Sequence, residues 1–132
     1  MEPKTHLRAD PRLCGSVLAL GEGTARVSLD AAGSMAVDAR GLVHGGFVFG
    51  VADYAAMLAV NDPNVVLGAA ETRFLRPVRV GDRIIASAQT LDAKGRKREV
   101  RVEAAVKSEK VFEGTFTCFV LERHVLEGVG SK

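Results

Sequence analysis

The chain has 132 residues, 47% of them hydrophobic and 26% charged, with a formal net charge of +2; this suits one domain with a single core and excludes a disordered or low-complexity chain. An aromatic content of 5% and so small a charge argue against a nucleic-acid-binding surface. The start, Met1 to Arg12, is polar, with Glu2, Lys4, Arg8, Asp10 and Arg12. It lacks the apolar segment of a secretory signal, so we expect a soluble, cytoplasmic single domain, residues 1–132, with 1–12 and 123–132 peripheral.

Val17–Leu20 and Ala25–Leu29 read as two short strands around Gly21-Glu22-Gly23, a hairpin signal. Asp30 to Arg40 is small and non-periodic, which predicts a loop ending at Gly41. From about Gly45 to Val60 the chain is rich in Ala, Leu, Met and Phe, with Phe47, Val51, Tyr54, Ala55 and Leu58 at helical spacing. A helix apolar nearly all round must be wrapped by other structure. The run from Phe47 to Val60 is too short to span a bilayer. Asn61-Asp62-Pro63-Asn64 stops it.

The remainder alternates like β-sheet. Val65 to Val78 reads as one long segment, Arg83–Leu91 as the next, with a turn at Asp92 to Gly95. Glu99–Lys107 places Val100, Val102, Ala104 and Val106 on one face, and Val111–Leu121 forms the last strand. A hairpin, one buried helix and a four-stranded meander predict an α+β layer fold with an antiparallel sheet.

Asp53 is the only charged residue between Gly46 and Val60. An ionised carboxylate among Val51, Ala52, Tyr54, Ala55 and Ala56 is costly unless it has a partner or opens to water. One reading is an Asp that accepts a structural hydrogen bond; the other is a catalytic group with a perturbed pKa. Other catalysts are missing: the chain has no G-x-S-x-G, P-loop or G-x-G-x-x-G. His6, His44 and His124 are scattered, and Cys14 and Cys118 lack metal-type spacing and read as free buried thiols, so we expect no metal and no cofactor. What remains is a carboxylate, His44 and the backbone N–H groups of Gly45 and Gly46. Donors at a helix N-terminus can hold a developing oxyanion, so these parts suit acyl hydrolysis. Gly45 and Asp53 stand about 12 Å apart along a helix. If both act, they come from different subunits across a two-fold interface.

The basic residues are concentrated: residues 73–110 hold 11 basic and 5 acidic side chains. Such a block can meet the phosphates of a small ligand, or be a solvated sheet face.

Gly41-Leu42-Val43-His44-Gly45-Gly46, followed by Val51-Ala52-Asp53, closely resembles the G-x-x-H-G-G…L-A-D motif of hotdog-fold acyl-CoA thioesterases of the PaaI-like group. Arg76-Pro77 and Gly81-Asp82 resemble that family's R-P…G-D signature, and the likeness covers about Asp38 to Val120. It implies a long central helix wrapped by a curved antiparallel sheet, and homodimers with a shared site, often paired into tetramers. It also implies hydrolysis of a small or aromatic acyl-CoA, with Asp53 as general base or nucleophile. Gly45 would polarise the carbonyl through its N–H, and His44 would position the thioester. Gly46 and Asp38 join the expected substrate contacts. Arg76, Arg79, Lys94, Arg96, Lys97 and Arg98 are the candidates for the coenzyme A phosphates, Arg76, Arg79 and Arg96 foremost. Many relatives have Asn where this chain has Asp38; an ionised Asp cannot donate a hydrogen bond, so Asp38 is either a loop residue or a second carboxylate in the site.

A second resemblance comes from a different class. Glu71 to Val120 is similar to the ligand domain of the fatty-acid-synthesis repressor FapR, a hotdog domain that senses malonyl-CoA without hydrolysing it. That repressor has a DNA-binding segment in front, for which we expect no room in Met1–Arg12, and it lacks the catalytic acid. The alternative is thus a non-catalytic acyl-CoA binding protein. Dehydratases of this fold carry an Asp/His motif that is missing here.

Overall fold

The computed structural model describes residues 1–129. A short helix α1 (Pro11–Cys14) leads into strands β1 (Ser16–Gly21) and β2 (Thr24–Asp30). After a 3-10 turn at Gly33–Met35 comes the one long helix, α2 (Gly45–Val60). Strands β3 (Val65–Phe74), β4 (Arg83–Lys94), β5 (Lys97–Val106) and β6 (Glu109–Val120) follow, then a short helix α3 (Val125–Val129). Residues 130–132, the end of the expected tail, lie outside the described residues.

All six strands form one antiparallel sheet that wraps α2. Period-2 alternation turns Val27 and Leu29 of β2, Ile84 and Ala86 of β4, Val100 and Val102 of β5, and Phe112 and Phe116 of β6 inward, where they are buried. They meet Val48, Val51, Ala52, Ala55, Ala56, Met57 and Leu58 of α2, also buried. Small alanines let the helix lie close to the sheet, and Phe49 packs against Phe112 and Phe116 with ring centroids 6.4 and 5.4 Å apart. The helix ends at Asn61, which takes a left-handed conformation (φ 52°). The Asn61 side chain also ties down the N-terminal segment. Its Oδ1 accepts from the Lys4 N–H at 2.7 Å and its Nδ2 donates to the Glu2 carbonyl at 3.0 Å.

The strand order is β1-β2-β4-β5-β6-β3, which corrects the simple meander. Helix α2 carries the chain across the sheet, so β3 lands on the far edge against β6, and residues 75–82 return it to β4 beside β2. Two boundaries also move. β3 stops at Phe74, before Pro77, and a bulge between Thr90 and Asp92 lets β4 run on to a turn at Gly95 and Arg96, with Gly95 at φ 60°.

Candidate active site

The loop before α2 is built to fix its first turn. Asp38 Oδ1 accepts from the N–H groups of Arg40 (3.0 Å) and Leu42 (3.2 Å), so this exposed carboxylate organises the loop. Gly41 follows at φ 84°, a conformation that favours glycine. The Val43 N–H donates to the Val78 carbonyl, and the His44 N–H to the Met35 carbonyl, both at 2.9 Å. Gly81, at φ 95°, and Asp82 form a staple. Ala31 N–H reaches the Asp82 carbonyl, Gly81 N–H returns to Ala31, and Asp82 Oδ2 accepts from the Arg79 N–H at 2.9 Å. Val78, Arg79 and Val80, between Arg76-Pro77 and Gly81-Asp82, thus anchor the loop that presents the helix start, and Gly81-Asp82 tie that segment to Ala31.

His44 is the N-cap of α2, and its Nδ1 accepts the Gly46 N–H at 2.8 Å. An accepting Nδ1 carries no proton, so the neutral ring holds its hydrogen on Nε2, facing away from the cap. His44 is exposed, with Phe47 edge-on at 6.2 Å. The Gly45 N–H donates to no protein atom among the described residues, leaving a free donor at the positive end of the helix dipole. A Cβ on Gly45 would stand 3.1 Å from the Phe74 ring. Gly45 and Phe74 share a groove of about 230 Å³ with Val43, Val48, Arg76 and Val78. Phe74 is 55% exposed, and no sequence pattern singles it out, because it looks like any strand residue.

Asp53 sits two turns further along α2. Its Oδ1 is fully enclosed and accepts no hydrogen bond among the described residues. Burial without a partner pushes its carboxyl from the usual 3.8 up to about 6. Both cysteines are free. Burial, and then the charge of Asp53, push the Cys118 thiol up to about 12, and burial with Asp10 and Asp53 raises Cys14. Both thiols therefore stay protonated at neutral pH, which disfavours them as nucleophiles.

The remaining predicted residues divide by position. Arg76 pairs only at 3.9 Å with Glu109, both side chains exposed, and it lines the Gly45 groove. Arg79 bridges to Leu42 through its backbone, and its exposed side chain makes no ion pair among the described residues. Arg96 lies in the β4–β5 turn and pairs with Glu122. There too, Lys97 meets Glu99 at 3.4 Å and Arg98 donates to the Gly95 carbonyl at 2.7 Å. That turn is the far end of β4 from Arg83, which pairs beside Asp30, a separation of about 36 Å at 3.3 Å per residue. Within one subunit, Gly45, His44, Arg76 and Arg79 cluster at one end, Asp53 stands alone, and Arg96 is remote. A hollow of about 710 Å³ beside α1 and the β1–β2 hairpin contains neither Gly45 nor Asp53.

Residues 40–113 match the family model described as the thioesterase superfamily, which takes in His44, Asp53 and Arg76 to Asp82. The crystal structure of an uncharacterised protein from Pyrococcus horikoshii is 51% identical, with a TM-score of 0.94 over 96% of this chain and 97% of that one. A mutant of the phenylacetic acid degradation protein PaaI from Thermus thermophilus is 32% identical, with a TM-score of 0.76 over 83% of this chain and 95% of that one. Among curated sequences, a methylthioribose-1-phosphate isomerase of Aquifex aeolicus is 50% identical over 92% of this chain, which spans only 27% of that protein. Transcription factor FapR of Caldanaerobacter subterraneus is 33% identical over 65% of this chain and 43% of its own length. The chain thus spans less than half the length of these curated relatives. No helix among the described residues is long and apolar enough to cross a membrane.

Proposed function

This chain belongs to the thioesterase superfamily and has the hotdog fold, and on that footing we propose that it hydrolyses the thioester of a small or aromatic acyl-CoA. One observation carries the reading: a carboxylate oxygen held in the subunit with no partner, its pKa lifted towards neutrality. A purely structural Asp would have its hydrogen bond; this one is left free to take a proton. As a base, Asp53 removes a proton from water while the oxygen attacks the thioester carbonyl. The resulting oxyanion rests on the Gly45 N–H, with the His44 Nε2–H as a second donor in reach of the same end. Collapse breaks the C–S bond, and the departing thiolate takes the proton back from Asp53. As a nucleophile, Asp53 would attack the carbonyl and expel the CoA thiolate, which is protonated by solvent, leaving a mixed anhydride that water cleaves to the free acid and Asp53.

Because Asp53 and Gly45 share one helix at about 12 Å, we place each complete site between two copies, Asp53 from one and Gly45 from the other. The β3 edge supports this: it is unpaired within the subunit, and residues 68–71 are exposed there. Arg76, loosely paired and lining the Gly45 groove, and Arg79, bridged to Leu42 and without an ion pair among the described residues, are the better phosphate contacts; Arg96 has a partner already. Binding without hydrolysis is the second reading, favoured by the match to FapR.

Thiol release from a panel of acyl-CoAs separates the two. Asp53→Asn is expected to cost on the order of 10²-fold or more in turnover, the scale of removing an acid–base group. Saturable binding with no turnover by the unaltered protein would establish the sensor reading, and full activity in a well-folded Asp53→Asn protein would remove Asp53 from the chemistry.

A further inference from the structure

Helix α2 contains three glycines, and two have evident local reasons. A Cβ on Gly45 would press on Phe74, and a Cβ on Gly46 would stand 3.1 Å from His44 Nδ1, disturbing the cap. Gly50 has neither excuse. Its φ is not positive, and a Cβ there would meet nothing within 4 Å. A glycine inside a helix costs stability relative to alanine, so something outside the isolated subunit must offset that cost.

Gly50 is also placed for a purpose. On a helix surface its neighbours are Gly46 and Phe47 behind and Asp53 and Tyr54 ahead. Phe47 and Tyr54 are both partly buried, Phe47 held edge-on by His44 and Tyr54 beside His6 at 6.2 Å. The missing side chain therefore leaves open space above Gly50, about 4.5 Å along the axis from Asp53 and with Phe47 and Tyr54 one turn to either side. Asp53, one turn ahead of Gly50, carries an Oδ1 with no hydrogen-bond partner among the described residues, and it is the carboxylate that the proposed reaction uses.

We propose that Gly50 is the specificity-determining residue of the site: the hollow above it takes the acyl carbons next to the thioester carbonyl. Clearance at that point admits acyl groups that are branched or carry a ring directly at the carbonyl. The inference rests on Asp53 as the group that acts on that carbonyl.

The test measures kcat/KM for acetyl-, butyryl-, isobutyryl- and benzoyl-CoA in the unaltered protein, Gly50→Ala and Gly50→Val, with melting temperature and sedimentation alongside. In Gly50→Val the ratio of isobutyryl or benzoyl turnover to butyryl turnover should fall by about tenfold or more, the scale of a methylene or two misplaced in a pocket. Gly50→Ala should give a smaller fall in that ratio while raising the melting temperature by a few degrees. An unchanged ratio in both variants overturns the proposal and leaves the thioesterase reading intact. So does weaker subunit association with a lower melting temperature in Gly50→Ala, because the hollow would then belong to a packed neighbour. An unaltered protein inert to the whole panel removes the thioesterase reading, and this inference with it.

Discussion

The first turn of α2 and its middle turn use one helix in opposite ways. At the first turn the proposed functional group is backbone: a Gly45 N–H without a partner among the described residues, beside a histidine cap and backed by the helix dipole. At the middle turn it is a side chain: the half-buried Asp53 carboxyl, with Oδ1 enclosed and without a donor among the described residues, its charge disfavoured by burial. The first arrangement strengthens a helix, because capping stabilises it. The second weakens the fold wherever Asp53 is ionised. One helix thus supplies a stabilised place for negative charge and a destabilised carrier of it, about 12 Å apart. Charge moving from the second to the first is what ester and thioester hydrolysis requires.

The largest expected effect of that contrast is on the pH dependence. With the Asp53 carboxyl near 6, kcat/KM should be level above about pH 7 and fall about tenfold per unit well below 6. A pH–rate profile flat from 8 down to 4.5 would mean that no buried carboxylate is involved. Next is stability. The folded carboxyl sits above its unfolded value of 3.8, so the native state binds the extra proton between about 4 and 6. The stabilisation from the neutral form is complete below about 4 and lost as pH rises through 6. Asp53→Asn should therefore unfold at higher urea than the unaltered protein at pH 8, by on the order of 2 kcal/mol, while losing turnover. Equal stability at pH 8 would show that the carboxylate is not penalised by burial.

His44→Ala should cost less than Asp53→Asn, about tenfold in kcat, because it removes a cap and one outward donor and no proton acceptor. Imidazole nitrogen shifts should report a hydrogen on Nε2 at neutral pH; an Nδ1–H signal would contradict the cap geometry. Smallest are the arginines. Arg76→Gln and Arg79→Gln should each raise KM a few-fold, more at low salt than at high, whereas Arg96→Gln should not. Equal KM effects from all three would place the phosphates elsewhere.

Much of this was legible in the residues. The limits of α2 follow from the glycines before Phe47 and the Asn61 stop, and the lone Asp53 in an apolar run is visible without any structure. The place of β3 was not, because pairing depends on where the helix delivers the chain and not on alternation. Asp38 left two readings open in the sequence; its two backbone hydrogen bonds favour the loop role. The basic block looked uniform along the chain, and only folding sorts it into Arg76 and Arg79 near the helix start and Arg96 at the far turn. Gly50 and Phe74 carry no local pattern at all; one is known by the space around it, the other by what it touches.

The two halves of the site can be tested together by mixing subunits. Asp53→Ala removes the carboxylate, and Gly45→Val obstructs the donor turn by pressing on Phe74. Each variant alone should be nearly inactive. If sites are shared between two copies, each mixed dimer keeps one intact site, and an equimolar mixture should recover about a quarter of the unaltered activity. Confirmed mixed dimers with no recovery would show that Asp53 and the oxyanion donor act within one subunit, and would contradict the account.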